Sequence, residues 1–477
     1  MRGLTITERL RLGLGLVTTG RFLSRTPFWP ARRLREWQLD RVRAMVVHAY
    51  ENVPFYRRHY DAARVKPSDL KTLEDLSRFP LVTKEDIIAN YPDQTLANGH
   101  RLGDLIVSRS SGSSGKVLDI AYDSRAMLVY VLAGLRMYSM GFRYRPWHRQ
   151  TYIYTSPYPV RSLFGLFPTH FIHTLTPIGQ TLKELAAHPP DLLVCYPSHL
   201  KQIVAAARLQ NLSIRPRMVS VNSEMSTGAE RAALSHALGC PVLDEYSSEE
   251  LTRIAAQCLH GNYHLFEDIN YIETIDNSGH PTVGPGLIVG TNLYNTAMPM
   301  IRYVQNDIGE VRPLPCACGR KFRHLVGLQG RKNDAFTLPS GRVLSSGFLL
   351  DATYGMLLDF RDAVSDFCLV QERPDSVLLQ VVAGPSWNNV AAIDAEKRFN
   401  SFLEPGVAFR IEIVTECTKT ASGKRNPIIN LVTRQAPAPD ARSNDPVEGV
   451  AVSKRGVERR LCEATPPENG AKESSSL

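Results

Sequence analysis

The stretch from Ser108 to Lys116, SRSSGSSGK, sets hydroxyls, two glycines and two cations, Arg109 and Lys116, between the apolar runs DLIV and VLDIAY. Glycine leaves backbone N–H groups open to approach. With hydroxyls and an ammonium beside them, such groups form a nest for anionic oxygens. The ligand this loop suits is a phosphate chain, and the candidate contacts are Ser110, Ser111, Gly112, Ser113, Ser114, Gly115 and Lys116. It is not a Walker loop, which needs a glycine five residues before the Gly-Lys pair and a hydroxyl after it. Ser110 and Val117 hold those positions. A Ser/Gly stretch also serves as a flexible connector, but this one sits between two expected strands rather than between domains.

A second set of residues has metal chemistry. Cys258 and His264 lie in CLHGNYH, and Cys316 and Cys318 in CACGR. Two thiolates one residue apart, with a further Cys and a His, supply a tetrahedral zinc set with no open position, so the role would be structural. The spacing is not that of a standard finger. The alternative is buried free cysteines and a surface histidine, since free Cys is commonly buried. Cys195, Cys240, Cys368, Cys417 and Cys462 read as core or tail residues, and His170 and His173 as a packing pair.

The elements that position these residues follow from periodicity. The chain has 477 residues and ordinary apolar content, enough for more than one domain. No run of about twenty apolar residues appears, so no transmembrane span is expected. The Arg-rich N-terminus lacks a continuous apolar core and reads as a helix docking on its own domain, with a membrane or partner contact as the alternative. Scattered cysteines and the missing secretory signal make the expected location cytoplasmic. The net charge of +9 raises nucleic acid as a partner, but no RNA- or DNA-binding motif accompanies it, and none is expected.

REWQLDRVRAMVVHAYENV is a helix by spacing, stopped by Pro54. Residues 104–122 read as strand, loop, strand, and Ser124 as the cap of a helix ending at Gly141. DLLVCYPSHLKQIVAAARLQ and RPRMVSVNSE followed by GAERAALSHALGCPVLDEY alternate strand and helix. That rhythm predicts an α/β domain with largely parallel sheets over residues 1–330. Beyond GRKNDA, a hairpin, a helix and a strand predict a small α+β domain over 331–435, and the Pro-, Ser- and charge-rich residues 436–477 a disordered tail.

Five stretches stand in order: SSGSSGK, EYSSEE at 245–250, RYVQND at 302–307, GRKNDA at 330–335 and KTASGKR at 419–425. With HAYENVPFYRRHY, FPLVTKEDI, NSEMSTGAE and CACGR, they resemble the ANL superfamily of adenylate-forming enzymes over roughly residues 30–435. The nearest likeness is the phenylacetate–CoA ligase family, with its relatives from capsule polysaccharide biosynthesis.

The resemblance implies a large AMP-binding domain and a small mobile one. It implies that a carboxylate attacks the α-phosphate of ATP, that pyrophosphate leaves, and that coenzyme A then takes the acyl group. By likeness the SSGSSGK loop holds the triphosphate, Glu250 helps hold Mg2+, and Tyr246 stacks on adenine. Ser223, Glu224 and Asp244 fall in the adenine pocket. Asp307 takes both ribose hydroxyls, as a double acceptor suits a cis-diol. Arg331 makes the second ribose or phosphate contact, Asp334 marks the hinge, and Lys424 reaches the α-phosphate and carboxylate during adenylation. Cys and His at positions like those of the zinc set occur in relatives.

The chain departs from the family pattern at Ser247, where glycine is usual, at Glu249, where a hydroxyl is usual, and at Gln305-Asn306, where Thr-Gly is usual. The lost glycine and threonine touch substrate geometry and phosphate contacts, and Glu249 sets a second acid beside Glu250, but no acidic or basic residue that carries charge is removed, so an active, divergent enzyme is expected. The alternatives are a capsule-type enzyme with an acyl acceptor other than coenzyme A and a non-catalytic nucleotide-binding scaffold. The acid itself and the oligomeric state are not readable from the sequence.

Overall fold

The structure is a computed structural model that describes residues 6–109, 118–154, 166–357, 363–417 and 425–432. Residues 110–117, with the phosphate-loop candidates, residues 418–424, with Lys424, and the tail lie outside the described residues. Met1–Gln435 forms one compact unit.

The chain enters through helices α1 (Ile6–Arg25), α2 (Ala31–Asn52), α3 (Pro54–Ala62) and α4 (Lys84–Asn90). α2 buries Leu34, Gln38, Val42, Met45, Val46 and Ala49, one face of a helix. Gln38 donates to the carbonyl of Glu267 at 2.8 Å, which ties that face to the main sheet. At α4, Thr83 and Asp86 form a reciprocal capping box. A short antiparallel pair follows, β1 (Ile106–Arg109) and β2 (Asp119–Tyr122), flanking the serine-rich loop as the sequence predicts. α5 (Ser124–Tyr138) is capped by Asp123 rather than Ser124: the Asp123 carboxylate accepts from the N–H of Ala126 at 2.8 Å. α5 also stops short of Gly141. That glycine is a close-approach position, where an added Cβ would lie 2.3 Å from the Met218 sulfur.

Eleven strands build the main sheet: β3 (Gln150–Tyr154), β4 (Thr169–His173), β5 (Leu192–Cys195), β6 (Met218–Asn222), β7 (Val242–Ser248), β8 (Thr252–Gln257), β9 (Tyr263–Leu265), β10 (Asn270–Ile275), β11 (Gly286–Asn292), β12 (Tyr303–Arg312) and β13 (His324–Arg331). Their order is β10-β11-β12-β13-β9-β8-β7-β6-β5-β3-β4. From β4 to β7 the pairing is parallel. α6 (Ile178–Ala187), α7 (Pro197–Leu209) and α8 (Gly228–Leu238) provide crossovers there. From β7 to β10 it is antiparallel. The expectation of a largely parallel sheet therefore holds for only one half. The strand–helix rhythm of residues 190–248 was the visible signal. The antiparallel half is joined by loops and carries no such rhythm. β5, LLVC, is buried throughout, as a central parallel strand must be when both faces are covered.

Beyond β13 lie β14 (Phe336–Thr337), β15 (Val343–Leu344) and α9 (Ser346–Met356). The four-stranded sheet then follows, in the order β18-β17-β16-β19. Its members are β16 (Val364–Arg373), β17 (Ser376–Ala383), β18 (Ala408–Val414) and β19 (Ile428–Asn430), with α10 (Asn389–Phe402) packed on it. β16 and β17 form the hairpin expected about Arg373-Pro374-Asp375. This region has its own core, including Phe336, Leu349, Leu369, Leu379 and Phe399. No helix among the described residues is long and apolar enough to cross a membrane.

Candidate active site and metal set

β7 is where the sheet changes from parallel to antiparallel. The site residues gather at its C-terminal end, where open α/β sheets characteristically leave a ligand crevice. Tyr246, near the end of β7, donates from its phenol to Oδ2 of Asp307 at 2.6 Å. Asp307 lies on β12, directly opposite Arg331 on β13. Burial pushes the Asp307 carboxyl up, and Arg331 and the Tyr246 hydroxyl pull it back. Burial also drives the Tyr246 phenol well above its ordinary range, so it remains a donor. Glu250 is buried, and its Oε1 accepts from the phenol of Tyr303, on the same strand as Asp307, at 3.0 Å. Three of the sequence candidates thus meet through β7, β12 and β13, with Glu250 beside them.

The local departures have physical accounts. Asn306 has φ of 60°, in the left-handed region where Asn is the non-glycine residue of lowest cost. It stands where the resemblance puts a glycine, in a conformation that glycine also adopts readily. Ser247 is not among the positive-φ residues, so its position makes no demand for glycine. Glu249 and Glu250 take different partners. Glu249 is exposed and accepts from the Ser108 hydroxyl at 2.7 Å, while its carbonyl accepts from Tyr122. It ties the two strands that flank the serine-rich loop to the end of the β7–β8 turn.

The remaining candidates are placed differently. Asp244 is buried, with Tyr263 donating to its Oδ2 at 2.5 Å and Arg231 3.8 Å away. Burial pushes its carboxyl up to about 6. Ser223 is exposed with φ of 65° and donates to Asn222. Glu224 accepts from the N–H and hydroxyl of Ser198 at 3.1 and 3.0 Å, and from the N–H of Arg425 at 2.5 Å. Asp334 lies in a single helical turn just after β13. The contacts of Ser198, Tyr303 and Ser108 were not legible in sequence, although Tyr303 lies in RYVQND and Ser108 opens the serine-rich stretch, because each contributes an ordinary hydroxyl to a partner far away in the chain.

The cysteine set does assemble. One ligand atom from each of Cys258, His264, Cys316 and Cys318 lies within 4.8 Å of all the others. The Cys258 and Cys316 sulfurs are 3.7 Å apart, and the Cys318 sulfur lies 3.2 Å from His264 Nε2. Zinc–sulfur bonds of about 2.3 Å in a tetrahedron demand a sulfur–sulfur edge of about 3.8 Å. Burial and the neighbouring His324 push His264 down to about 4, leaving the neutral imidazole a metal requires. The residues fit zinc. His170 instead pairs with Glu184 at 3.0 Å and packs on the His188 ring.

The fold is that of solved adenylate-forming CoA ligases. The chain covers 85% of its own length and 91% of 2-hydroxyisobutyryl-CoA ligase bound to 2-HIB-AMP in the postadenylation state, with a TM-score of 0.71 at 22% identity. Against an anthranilate CoA ligase in complex with anthranoyl-AMP the TM-score is 0.50 at 16% identity, covering 71% and 69% of the two chains. No family model matches the chain. The phenylacetate-coenzyme A ligase of Aromatoleum evansii is 31% identical over 325 residues, 63% of this chain and 71% of that protein. The Escherichia coli K12 enzyme of the same name is 27% identical over 336 residues, 66% and 74% of the two chains. The chain belongs to the phenylacetate–CoA ligase family and is an adenylate-forming acid–thiol ligase.

Proposed function

We propose that the protein activates a small carboxylic acid with ATP, releases pyrophosphate, and passes the acyl group to coenzyme A, with the residues above in the following roles. The observation that carries the assignment of roles is the Tyr246–Asp307 hydrogen bond at 2.6 Å, with Arg331 opposite Asp307 across the β12–β13 ladder. Asp307 accepts the two ribose hydroxyls, Tyr246 orients Asp307 while its ring faces adenine, and Arg331 adds a cationic donor. Glu250 offers carboxylate oxygen to magnesium, the hard cation that accompanies ATP. The serine-rich loop supplies N–H, hydroxyl and ammonium donors to the leaving pyrophosphate, where charge accumulates in the transition state. Lys424 neutralises charge between the α-phosphate and the attacking carboxylate. Asp334, at the junction of the regions 1–330 and 331–435, is the hinge. The separate core of the small region supports that division. Asp244, tied to Tyr263 and Arg231, shapes the adenine side rather than contacting it.

Zinc is structural in this reading. Cys258, His264, Cys316 and Cys318 hold it, and it supplies rigidity and no chemistry. An enzyme that consumes ATP and coenzyme A belongs in the cytoplasm.

Acid-dependent ATP–pyrophosphate exchange tests the proposal. The panel contains aryl, fatty, amino and sugar acids, and phenylacetate is the first acid to try because relatives carry its name. Exchange with one acid, lost by at least about 100-fold in Lys424→Ala and Asp307→Ala, is the expected result for groups that act on the transition state. Exchange without thioester on adding coenzyme A would move the acyl acceptor to another nucleophile, as in capsule-type relatives. ATP binding without exchange by any acid would favour a scaffold.

A further inference from the structure

β18, with the sequence AFRIEIV, stands at one edge of the four-stranded sheet. It pairs in parallel with β17 along its whole length, from Ala408 opposite Ser376 to Val414 opposite Val382. Among the described residues no strand pairs its outer side. An open edge is a template for another chain, and proteins usually guard it with proline, lysine or a bulge. β18 has none of these.

The direction of its backbone groups follows from its first ladder bond. The N–H of Ala408 donates to the Asp375 carbonyl at 2.8 Å. In a parallel ladder, alternate residues turn both backbone groups to the neighbouring strand. Ala408, Arg410, Glu412 and Val414 therefore serve β17. Phe409, Ile411 and Ile413 point their N–H and carbonyl groups outward.

The side chains divide the same way, because successive residues of a strand face opposite sides of the sheet. Phe409 and Ile411 pack on the core of the small region, with Phe409 stacked on Phe399 of α10 at 4.7 Å. Ile413, on that face, is 52% exposed. On the other face Arg410 and Glu412 are 54% and 49% exposed. Arg410 donates from Nη2 to Glu372 at 2.6 Å, while its Nη1 makes only a long contact of 3.8 Å with Glu412.

Laid antiparallel against a second copy of itself, this strand is self-complementary. With Ile411 at the centre, its outward groups meet those of the partner's Ile411, and those of Phe409 meet the partner's Ile413. Each of these pairs exchanges two hydrogen bonds. Arg410 then stands opposite Glu412 of the partner subunit, in the non-hydrogen-bonded kind of pair where side chains approach most closely. Two-fold symmetry repeats that ion pair. On the apolar face the partner's Phe409 covers the exposed Ile413. The neighbouring registers that still match outward groups are centred on Arg410 or on Glu412. They set Arg against Arg or Glu against Glu, and like charges directly opposite are repulsive.

We propose that β18 is a dimerisation edge. Two copies of this chain pair antiparallel through it about a two-fold axis at Ile411, and their small regions join in one continuous sheet. The occupant is a second copy because the strand's own charges and apolar residues answer one another in this register. The interface is one strand edge, so the association is weak, in the micromolar range.

Sedimentation velocity on the full chain, from low to high micromolar concentration, tests this without ATP or acid, so the outcome is independent of the catalytic reading. Wild type is expected to pass from monomer to dimer. Arg410→Glu or Glu412→Arg alone turns both ion pairs into like-charge pairs and should raise the dissociation constant at least about 10-fold. The double swap should restore the dimer. An equimolar mixture of the two single variants should form a mixed dimer, since every facing pair is then opposite in charge, and misfolded variants could not do so. Ile413→Pro removes an outward N–H that β17 does not use, and should weaken the dimer while the melting temperature shows the fold retained. Wild type that stays monomeric throughout would overturn the inference. So would a dimer indifferent to all of these changes, or single variants that remain monomeric when mixed.

Discussion

At the scale of single residues, the Tyr246 phenol is separable from its ring. Tyr246→Phe keeps an aromatic face for adenine and removes the donor to Asp307. A neutral donor lost to a carboxylate costs about 1–2 kcal/mol. ATP KM is therefore expected to rise about 5- to 30-fold with little change in kcat, measured by steady-state kinetics. Asn306 offers a backbone test. At φ of 60°, Asn306→Gly should preserve or slightly raise thermal stability, while Asn306→Val should lower it by about 1–2 kcal/mol, because a β-branched residue clashes in that conformation.

Asp244 carries a pH signature. Its carboxyl is pushed from 3.8 up to about 6, mainly by burial. A carboxyl with a raised folded pKa holds its proton more tightly when folded than when unfolded. Its penalty is absent below about pH 4, grows between about 4 and 6, and is complete above, reaching about 3 kcal/mol for a shift of about two units. Asp244→Asn abolishes that titration. The stability of the variant relative to wild type should rise as pH goes from 4 to 7, in denaturant melts at each pH. A flat difference would remove Asp244 as a buried titrating group.

At the scale of elements, the β12–β13 pair joins the two sets of chemistry. Asp307 faces Arg331 near one end of the ladder. The connection at the other end carries Cys316 and Cys318, which meet Cys258 beyond β8 and His264 in β9. A metal held there would clamp three antiparallel strands near their turns and help fix the register that brings Asp307 and Arg331 together. Purified protein is expected to carry about one zinc per chain, since the ligand set is complete. Cys316→Ser or chelation should lower the melting temperature by several degrees and raise ATP KM in the same preparation. Metal analysis without zinc, or chelation without effect on melting, would count against the clamp.

At the scale of the whole molecule, the large sheet and the small region carry separate cores, joined by polar bonds such as Glu224 to the N–H of Arg425 and Ser346 to the carbonyl of Gln329, and by Met225 packed on the smaller core. How much of this was legible in sequence depends on range. Residues 190–248 announced their strands and helices because the apolar spacing of each is local, and the β16–β17 hairpin did so through its turn residues. The parallel-to-antiparallel switch at β7 was not legible, since pairing direction depends on partners far along the chain. The cysteine set was legible as a composition, not as a cluster. Cys258 and Cys316 are 58 positions apart, and only the β8–β9–β13 pairing brings them to 3.7 Å.

The sequence by itself determined the chemistry available. It set the ordered acids, cations, hydroxyls and glycines that mark an adenylate-forming ligase, because motif order and residue type survive in one dimension. Tertiary structure decided which groups act on one another: Tyr246 on Asp307, Glu249 on Ser108 rather than beside Glu250, and Glu224 on Arg425 rather than on a base. Each of those is a hydrogen bond between residues at least 61 positions apart. Its existence is set by sheet register and by the meeting of two cores, neither of which local residue preference encodes.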